Sequence, residues 1–301
     1  MWAIFVDNIL PIFLCAGAGF VVGRRLKPEL KTASRLAFYI FSPCLVFTSI
    51  LHTELSGGEF GQLALFTLGV LGVMGLIALT TGAVMRLDRP TLAALIVASV
   101  FVNGGNYGLA LNQFAFGQTG MARAVVYYVF STLTVYTFGV VVASAGRKPI
   151  GHAFRQVLSV PAAYALLIAG GMKLTHLSLP LFLDRPVTLL SQAAIPVMLV
   201  ILGLQMAEAR TGPRARLGLI GVACFLQLVI APLVGLGLAW ALGLHGITRQ
   251  AAVLEAAMPT AVITTILAVE YDLDAAFMTS TVILSTLLSP LTLTPLIAYL
   301  R

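Results

Sequence analysis

Charged residues are scarce in this chain of 301 residues: Asp, Glu, Lys and Arg make up only 10% of it, whereas 59% is hydrophobic. Soluble globular domains carry about 25% charged residues, so the composition excludes an ordinary water-soluble fold. The mean hydropathy of +1.00 agrees with this. Long polar stretches are also lacking, which leaves no room for a separate soluble domain. The composition therefore indicates an integral membrane protein.

Cysteine is rare as well. Cys15, Cys44 and Cys224 fall in apolar runs without paired spacing, which argues against a disulfide framework and against a zinc site. An intramembrane hydrolase would need an Asp pair, a Ser/His pair or a His-Glu-x-x-His motif inside the membrane, and the apolar runs contain none. We therefore expect no enzyme, no organic cofactor and no structural metal.

Apolar runs of about 20 residues, each long enough to cross a bilayer as a helix, occur ten times. The sequence thus predicts an all-α membrane protein with ten transmembrane helices, here called spans 1 to 10. Their approximate positions are 3–23, 33–52, 60–85, 92–116, 121–145, 155–175, 187–207, 216–242, 249–270 and 276–299.

The positions of the 18 Lys and Arg residues predict the orientation of these spans. We assign all of them to loops; with the N-terminus outside, 13 fall on the inner side and five on the outer side. The positive-inside rule then predicts both termini outside. The net charge of +7 is a topology signal and does not indicate nucleic-acid binding. The outer five are Arg123, Lys173, Arg185, Arg249 and Arg301.

The two halves of the chain match weakly at an offset of about 153 residues. Pro43 aligns with Pro196, and Asn106 aligns with Pro259. Five spans per half is an odd number, so the second half must enter the membrane upside down relative to the first. The pattern predicts two inverted five-helix repeats, 1–146 and 147–301, an arrangement common in secondary transporters.

Span 4 is interrupted by an unusual polar and glycine-rich stretch at 102–111. Consecutive glycines let a chain leave helical geometry, and Pro259 breaks span 9 at the repeat-equivalent position. The N-termini of half-helices carry partial positive charge, which suits an anionic substrate. A kink that serves only packing remains the alternative. The candidate substrate-binding residues are Asn103, Gly104, Gly105, Asn106, Pro259 and Thr260.

Glu255 is the one acidic residue placed well inside a span, four positions before Pro259. Such residues usually line a polar cavity. A partly desolvated carboxyl group could carry a proton, and a carboxylate beside unwound carbonyls, such as that of Met258, would suit sodium. In the alternative interpretation, Glu255 lies solvated near Arg249. Ser131 and Tyr136 in span 5 could hydrogen-bond a substrate or serve packing.

The stretches 103–117 and 255–271, together with Ser42-Pro43, resemble the auxin efflux carrier family. That family includes the plant PIN exporters and bacterial transporters of organic acids, in a superfamily that also holds the bile acid sodium symporters. The resemblance implies ten helices in two inverted repeats, with the broken helices 4 and 9 crossing. It also implies an elevator motion of transport helices 3–5 and 8–10 past scaffold helices 1, 2, 6 and 7.

The same resemblance would put Asn103 or Asn106 and Pro259 at the crossing, and Ser131 and Tyr136 at the polar positions of helix 5. The sequence departs from the family at two positions. Ala110 stands where members usually have proline, and Glu255 stands where plant carriers tend to have glutamine. A glutamate at this position resembles the sodium-binding glutamate of the bile acid symporters.

These observations favour a secondary active transporter of a small organic anion, a carboxylate, in the cytoplasmic membrane. Glu255 would couple transport to a proton or a sodium ion. A sodium-coupled uptake symporter of the bile acid kind and a passive channel are the alternatives. The partners are the substrate and the lipid bilayer; the resemblance is also compatible with a homodimer.

Overall fold

The fold is known from a computed structural model that describes residues 1–144, 158–209 and 216–301. Within these ranges the chain forms helices and no strands. The predicted boundary between the halves, at 146/147, lies outside the described residues. The helices are α1 Trp2–Leu26, α2 Leu30–His52, α3 Gly57–Val84, α4 Arg89–Val100, α5 Gly104–Ala143, α6 Pro161–Leu174, α7 Leu181–Glu208, α8 Leu217–Ala241, α9 Gly246–Ala256, α10 Ile263–Glu270 and α11 Ala275–Leu300.

Seven of these described helices are long and apolar enough to cross a membrane: α1, α2, α3, α5, α7, α8 and α11. The prediction of an all-α membrane protein is therefore confirmed. Helices α4 and α6 are apolar but shorter. The arrangement as ten spans in two inverted repeats stays a prediction.

Helix α5 is bent at Gly117. A straight helix of its 40 residues would be about 60 Å long, twice the thickness of a bilayer core. Gly117 adopts φ 69° and ψ −169°, a conformation that glycine reaches without a Cβ clash. The bend divides α5 into two arms, 104–116 and 118–143. The first arm matches the end of predicted span 4, and the second matches span 5.

Helices α1 and α7 pack closely because each helix presents a glycine to the backbone of the other. A Cβ built on Gly203 of α7 would overlap the Ala16 carbonyl of α1, and one built on Gly19 would overlap the Val200 carbonyl. Small residues allow this kind of close approach between membrane helices. Helix α2 packs on α7 and on α6.

The other helices surround the two short helices α4 and α9. Helix α3 packs on α4, α5 and α8, and α9 packs on α5 and α8. Almost every residue of α4 after Arg89 and most of α9 are buried. This burial lets both helices end inside the protein, because broken backbone at membrane depth is tolerated only where protein or a cavity surrounds it.

Both chain termini lie at the same end of the molecule. Nη2 of Arg301 donates a hydrogen bond to Oδ1 of Asn8, 3.1 Å away. A chain that crosses a membrane an even number of times has both termini on the same side.

Candidate functional site

The ends of α4 and α9 meet at a short stretch of paired backbone. Val102 and Thr260 form an antiparallel bridge. The Asn103 amide donates to the Pro259 carbonyl at 2.8 Å, and the Ala261 amide donates to the Phe101 carbonyl at 2.8 Å. Each helix break thus supplies the backbone partners that the other has lost, which a low-dielectric environment demands.

Polar side chains from neighbouring helices support this junction. Thr260 Oγ1 donates to the Ala98 carbonyl at 2.9 Å, and Ser285 Oγ accepts from the Thr260 amide at 3.2 Å. Gln227 Nε2, fully buried in α8, donates to the Met258 carbonyl at 2.9 Å. The Met258 carbonyl, predicted as an ion ligand, therefore already has one hydrogen-bond partner.

Glu255 lies in the last turn of α9 with no exposed surface. Its Oε1 accepts a hydrogen bond from Asn112 Nδ2 at 3.0 Å, and the same nitrogen donates to the Gly108 carbonyl at 3.1 Å. The buried oxygens without a hydrogen-bond partner among the described residues include Glu255 Oε2, Asn112 Oδ1 and the Tyr127 hydroxyl. The Tyr127 ring packs on Phe66 of α3, with ring centroids 6.3 Å apart. A Cβ built on Gly235 would lie within 4 Å of both Phe66 and Ala256, so Tyr127 lies near the end of α9.

The glycines of α5 make room for this carboxyl group. The segment Gly104–Gly108 is a single π-helical turn, a feature that often marks functional sites. A Cβ built on Gly104 would lie 2.7 Å from Glu255 Oε2, and one built on Gly108 would overlap the carboxyl group. The glycine-rich stretch therefore provides the space for Glu255 and also interrupts the helix.

The opposite side of the same π-helical turn faces Tyr128 of the second arm of α5 and helix α7. A Cβ on Gly105 would lie 2.7 Å from the Tyr128 ring, and the Tyr128 hydroxyl lies 3.0 Å from Ser42 Oγ. Asn106, half-buried, donates through Nδ2 to Gln205 Oε1 at 3.5 Å. The turn thus lies between Glu255 on one side and a second set of polar side chains on the other.

Most of the predicted site residues lie at or beside this junction. Asn103 and Pro259 share a backbone hydrogen bond, Thr260 forms the bridge, and Gly104, Gly105 and Asn106 follow in the turn. Asn103 is buried, and its Nδ2 has no hydrogen-bond partner in the described part of the chain. The structure therefore brings both helix breaks and Glu255 into one region.

Ser131 and Tyr136 lie farther along α5. Ser131 is buried. The Tyr136 ring packs against Phe38 of α2, with ring centroids 5.9 Å apart. Tyr128, two turns before Tyr136, is the aromatic residue that contacts the π-helical turn, and no feature of the sequence distinguishes it.

The structure corrects one expectation about charge and excludes one alternative. The sequence predicts a loop position for Arg123, but it lies in α5 with 6% of its surface exposed, because acidic and hydroxyl partners satisfy its guanidinium group. The alternative for Glu255, a solvated position near Arg249, does not occur. Arg249 instead donates to the Tyr299 hydroxyl at 3.2 Å, and Glu255 is fully buried.

Asn112, Gln227 and Tyr127 also lie at the candidate site and are not predicted from the sequence. Asn112 and Gln227 are amides inside otherwise apolar helices, a signal that marks functional positions in membrane proteins. Over the described ranges, no group of three His, Cys, Asp or Glu side chains could hold a metal ion. The oxygens around Glu255 are instead the hard donors that bind alkali and alkaline-earth cations.

An apolar bundle with a buried, polar, interrupted centre is the architecture of an integral membrane transporter. The sequence profile described as "Membrane transport protein" matches residues 4–153 and 147–297. The chain therefore belongs to this family, that of the auxin efflux carriers. The resemblance drawn from the sequence is confirmed, and the chain is a transport protein and not an enzyme.

Several relatives carry transporter names. An "Uncharacterized transporter" of Methanothermobacter thermautotrophicus is 27% identical over 94% of this chain and 94% of the relative. A "Putative malonate transporter" of Rhizobium meliloti is 26% identical over 97% of this chain and 95% of the relative. The "Auxin efflux carrier component 3a" of Oryza sativa subsp. japonica is 26% identical over 46% of this chain and 24% of the relative.

Proposed function

We propose that this protein is a secondary active transporter of a small organic anion, a carboxylate, that works by an elevator-type motion. The observation that carries the proposal is the junction of two interrupted helices beside the buried Glu255 carboxyl group. Broken helices at the centre of a bundle are where secondary transporters bind substrates and coupling ions.

The proposed architecture has ten spans in two inverted repeats. Helix α4 with the first arm of α5 forms span 4, the second arm forms span 5, and α9 with α10 forms span 9. Spans 4 and 9 then cross at the Val102–Thr260 bridge. The position of both termini at one end supports an even number of spans. The two family matches, which overlap near residue 150, support a division close to 146/147.

The proposed substrate site is built around the start of α5. The first amides of a helix have no carbonyl partner one turn earlier and carry partial positive charge. A carboxylate could accept hydrogen bonds from the first turn and from the Asn103 and Asn106 side chains. The malonate named for the Rhizobium meliloti relative supports a small carboxylate as the substrate class. Pro259 and Thr260 would form part of the wall of this site. The proposal also keeps Ser131 and Tyr136 as residues that could hydrogen-bond the substrate.

Glu255 is the proposed coupling residue. A negatively charged substrate beside a buried, ionised carboxyl group would be strongly repelled. Binding of a proton or a sodium ion at Glu255 would remove that repulsion, so that substrate and cation bind together. The unpartnered oxygens of Glu255, Asn112 and Tyr127 favour a sodium-coupled symporter of the bile acid kind as the second candidate.

The elevator motion would carry the junction past a fixed scaffold. Packing supports two groups of helices, with α1, α2, α6 and α7 as the scaffold and α3, α4, α5, α8, α9, α10 and α11 in the moving part. We further propose a location in the cytoplasmic membrane with both termini outside. A homodimer is compatible with this arrangement. A passive channel is the remaining alternative, and it requires no moving group.

A thermal-shift screen of the purified protein tests the proposed site. We expect a small mono- or dicarboxylate to raise the apparent unfolding temperature, and sodium or low pH to increase that effect, because a ligand that binds only the folded state stabilises it. Glu255→Gln should abolish the cation effect while the protein stays folded. A sodium effect that survives Glu255→Gln would contradict the coupling role of Glu255.

A further inference from the structure

A partly buried ion-pair cluster, in which Arg123 is buried and Glu59 keeps 29% of its side chain exposed, lies apart from the proposed substrate and coupling site. It consists of Glu59 in α3, Arg123 in α5 and Thr248 in α9, and is called here the Arg123 cluster. Arg123 donates through Nη2 to Glu59 Oε1 at 2.9 Å and through Nε to Thr248 Oγ1 at 2.9 Å. Thr248 Oγ1 donates in turn to Glu59 Oε1 at 2.7 Å. The three side chains form a closed triangle that joins three helices.

The remaining polar atoms of the cluster bind the local backbone. Arg123 Nη1 donates to the Thr119 carbonyl at 3.1 Å, two residues after the bend at Gly117. Glu59 Oε2 accepts from the Ser56 amide at 3.2 Å, and Ser56 Oγ accepts from the Glu59 amide, which caps the start of α3. The cluster therefore fixes the side chains, the start of α3 and the start of the second arm of α5.

Stability alone does not account for such a cluster. The desolvation of two charges can offset their attraction, and apolar residues of similar volume often serve as well. Hydrogen bonds in a closed triangle, however, impose one geometry on the three helices, and apolar packing would allow several.

On each of the three helices, a residue on the same face as the cluster residue lies at or near Glu255. Thr248 and Glu255 are seven residues apart in α9, so they share a face about 10 Å apart. Arg123 and Tyr127 are four residues apart in α5 and share a face as well. Glu59 and Phe66 have the seven-residue spacing in α3, and the Phe66 and Tyr127 rings lie 6.3 Å apart. Each helix that enters the cluster thus makes a second contact near Glu255.

We propose that the Arg123 cluster is a positioning device that sets the register of α5 against α9, and so brings Asn112 and Tyr127 to Glu255. This inference rests on the proposed coupling role of Glu255. The cluster residues touch neither substrate nor cation. They act through the placement of the groups that do. Loosening the cluster should weaken cation binding without removing a ligand.

Thr248→Val tests this inference with a matched control. The substitution keeps the side-chain volume and the Glu59–Arg123 pair but removes the hydroxyl that links them to α9. Thr67→Val is the control: Thr67 in α3 is fully buried, and its hydroxyl donates within its own helix to the Leu63 carbonyl at 2.8 Å. Both variants lose one buried hydroxyl, but only Thr248→Val loses contacts between helices.

Two measurements are made on wild type and both variants. The first is the sodium or proton concentration that gives half-maximal thermal stabilisation. We expect Thr248→Val to raise it about 2- to 30-fold, the range for a change in coupling at a distance, and Thr67→Val to leave it unchanged. The second is hydrogen exchange at 103–112, which lies on another helix from the substitution. We expect faster exchange there in Thr248→Val only.

The outcomes separate this inference from the proposed function. An equal loss of unfolding temperature in both variants, with unchanged cation midpoint and unchanged exchange at 103–112, would overturn the positioning role. Faster exchange at 103–112 in Thr248→Val, in a protein whose wild type shows no response to cations, would support the positioning role and overturn the coupling role of Glu255. Glu59→Gln, which keeps a hydrogen-bond acceptor, should give a smaller shift than Thr248→Val. A larger shift would contradict the geometric account.

Discussion

At the scale of single residues, the site depends on the space that neighbouring glycines leave for the Glu255 carboxyl group. Its Oε1 has Asn112 as a donor, whereas Oε2 has no hydrogen-bond partner among the described residues. Gly104 and Gly108 leave the room that this group needs. The two glycines therefore have a steric role in addition to breaking the helix.

Gly108→Ala should damage the site directly. The added Cβ would overlap the Glu255 carboxyl group, and overpacking of this kind costs about 1–3 kcal/mol. We expect a lower unfolding temperature and the loss of cation-dependent stabilisation. Gly221→Ala in α8 is the control, because a Cβ there has no heavy atom within 4 Å. If the two variants respond alike to cations, the steric role of Gly108 is wrong.

The residues that could be selected from the sequence were those whose own type breaks a pattern. Glu255 is a carboxylate in an apolar run, and Asn103, Gly104 and Pro259 interrupt helices, so each is visible alone. Asn112 and Gln227 also carry this signal as buried amides, but their roles depend on partners more than 30 positions away in the chain. Tyr127 and Tyr128 carry no such signal, since an aromatic residue in a membrane helix is ordinary.

At the scale of helices, the two breaks stabilise each other through backbone hydrogen bonds. The sequence predicted both interruptions because glycine and proline act locally. The sequence did not predict which residue forms the backbone hydrogen bond with Pro259. The repeat alignment sets Asn106 opposite Pro259, whereas the backbone hydrogen bond to Pro259 comes from Asn103. The predicted repeat pairs the two interrupted segments, but side-chain packing sets which residues meet within a turn.

The contact between α1 and α7 gives a test of helix packing. A Cβ on Gly203 would overlap backbone atoms of Ala16 and Phe20, and backbone cannot rotate away as a side chain can. We expect Gly203→Ala to destabilise the protein by about 3 kcal/mol, at the upper end for overpacking, measured as unfolding temperature and monodispersity in detergent. Gly17→Ala in α1 is the control, since a Cβ there meets no heavy atom within 4 Å. Equal stability of the two variants would contradict the close packing.

At the scale of the whole molecule, composition was the strongest predictor. Scarce charge and long apolar runs were enough to predict an all-helical membrane protein, because a bilayer permits few other folds. The position of Arg123 was not predicted by composition. The positive-inside rule predicts a loop position in solvent, whereas the fold buries Arg123 beside Glu59. A buried arginine needs an acidic partner from another helix, and that pairing is a property of the tertiary structure.

The proposed scaffold and moving groups of helices, with the junction of α4 and α9 in the moving group, make one prediction about transport. If the junction moves past a scaffold with its substrate and cation, transport must saturate, and unlabelled substrate on the far side must accelerate it. A fixed pore would show neither property. Coupling through Glu255 must also make uptake depend on a cation gradient.

Uptake of labelled malonate, or of the carboxylate that gives the largest thermal shift, into proteoliposomes is the most direct test. We predict saturable uptake that counterflow stimulates, that an inward sodium or proton gradient drives, and that Glu255→Gln uncouples from the gradient. Flux that rises linearly with concentration, or gradient-driven uptake that is unchanged in Glu255→Gln, would contradict a carrier coupled through this buried carboxyl group.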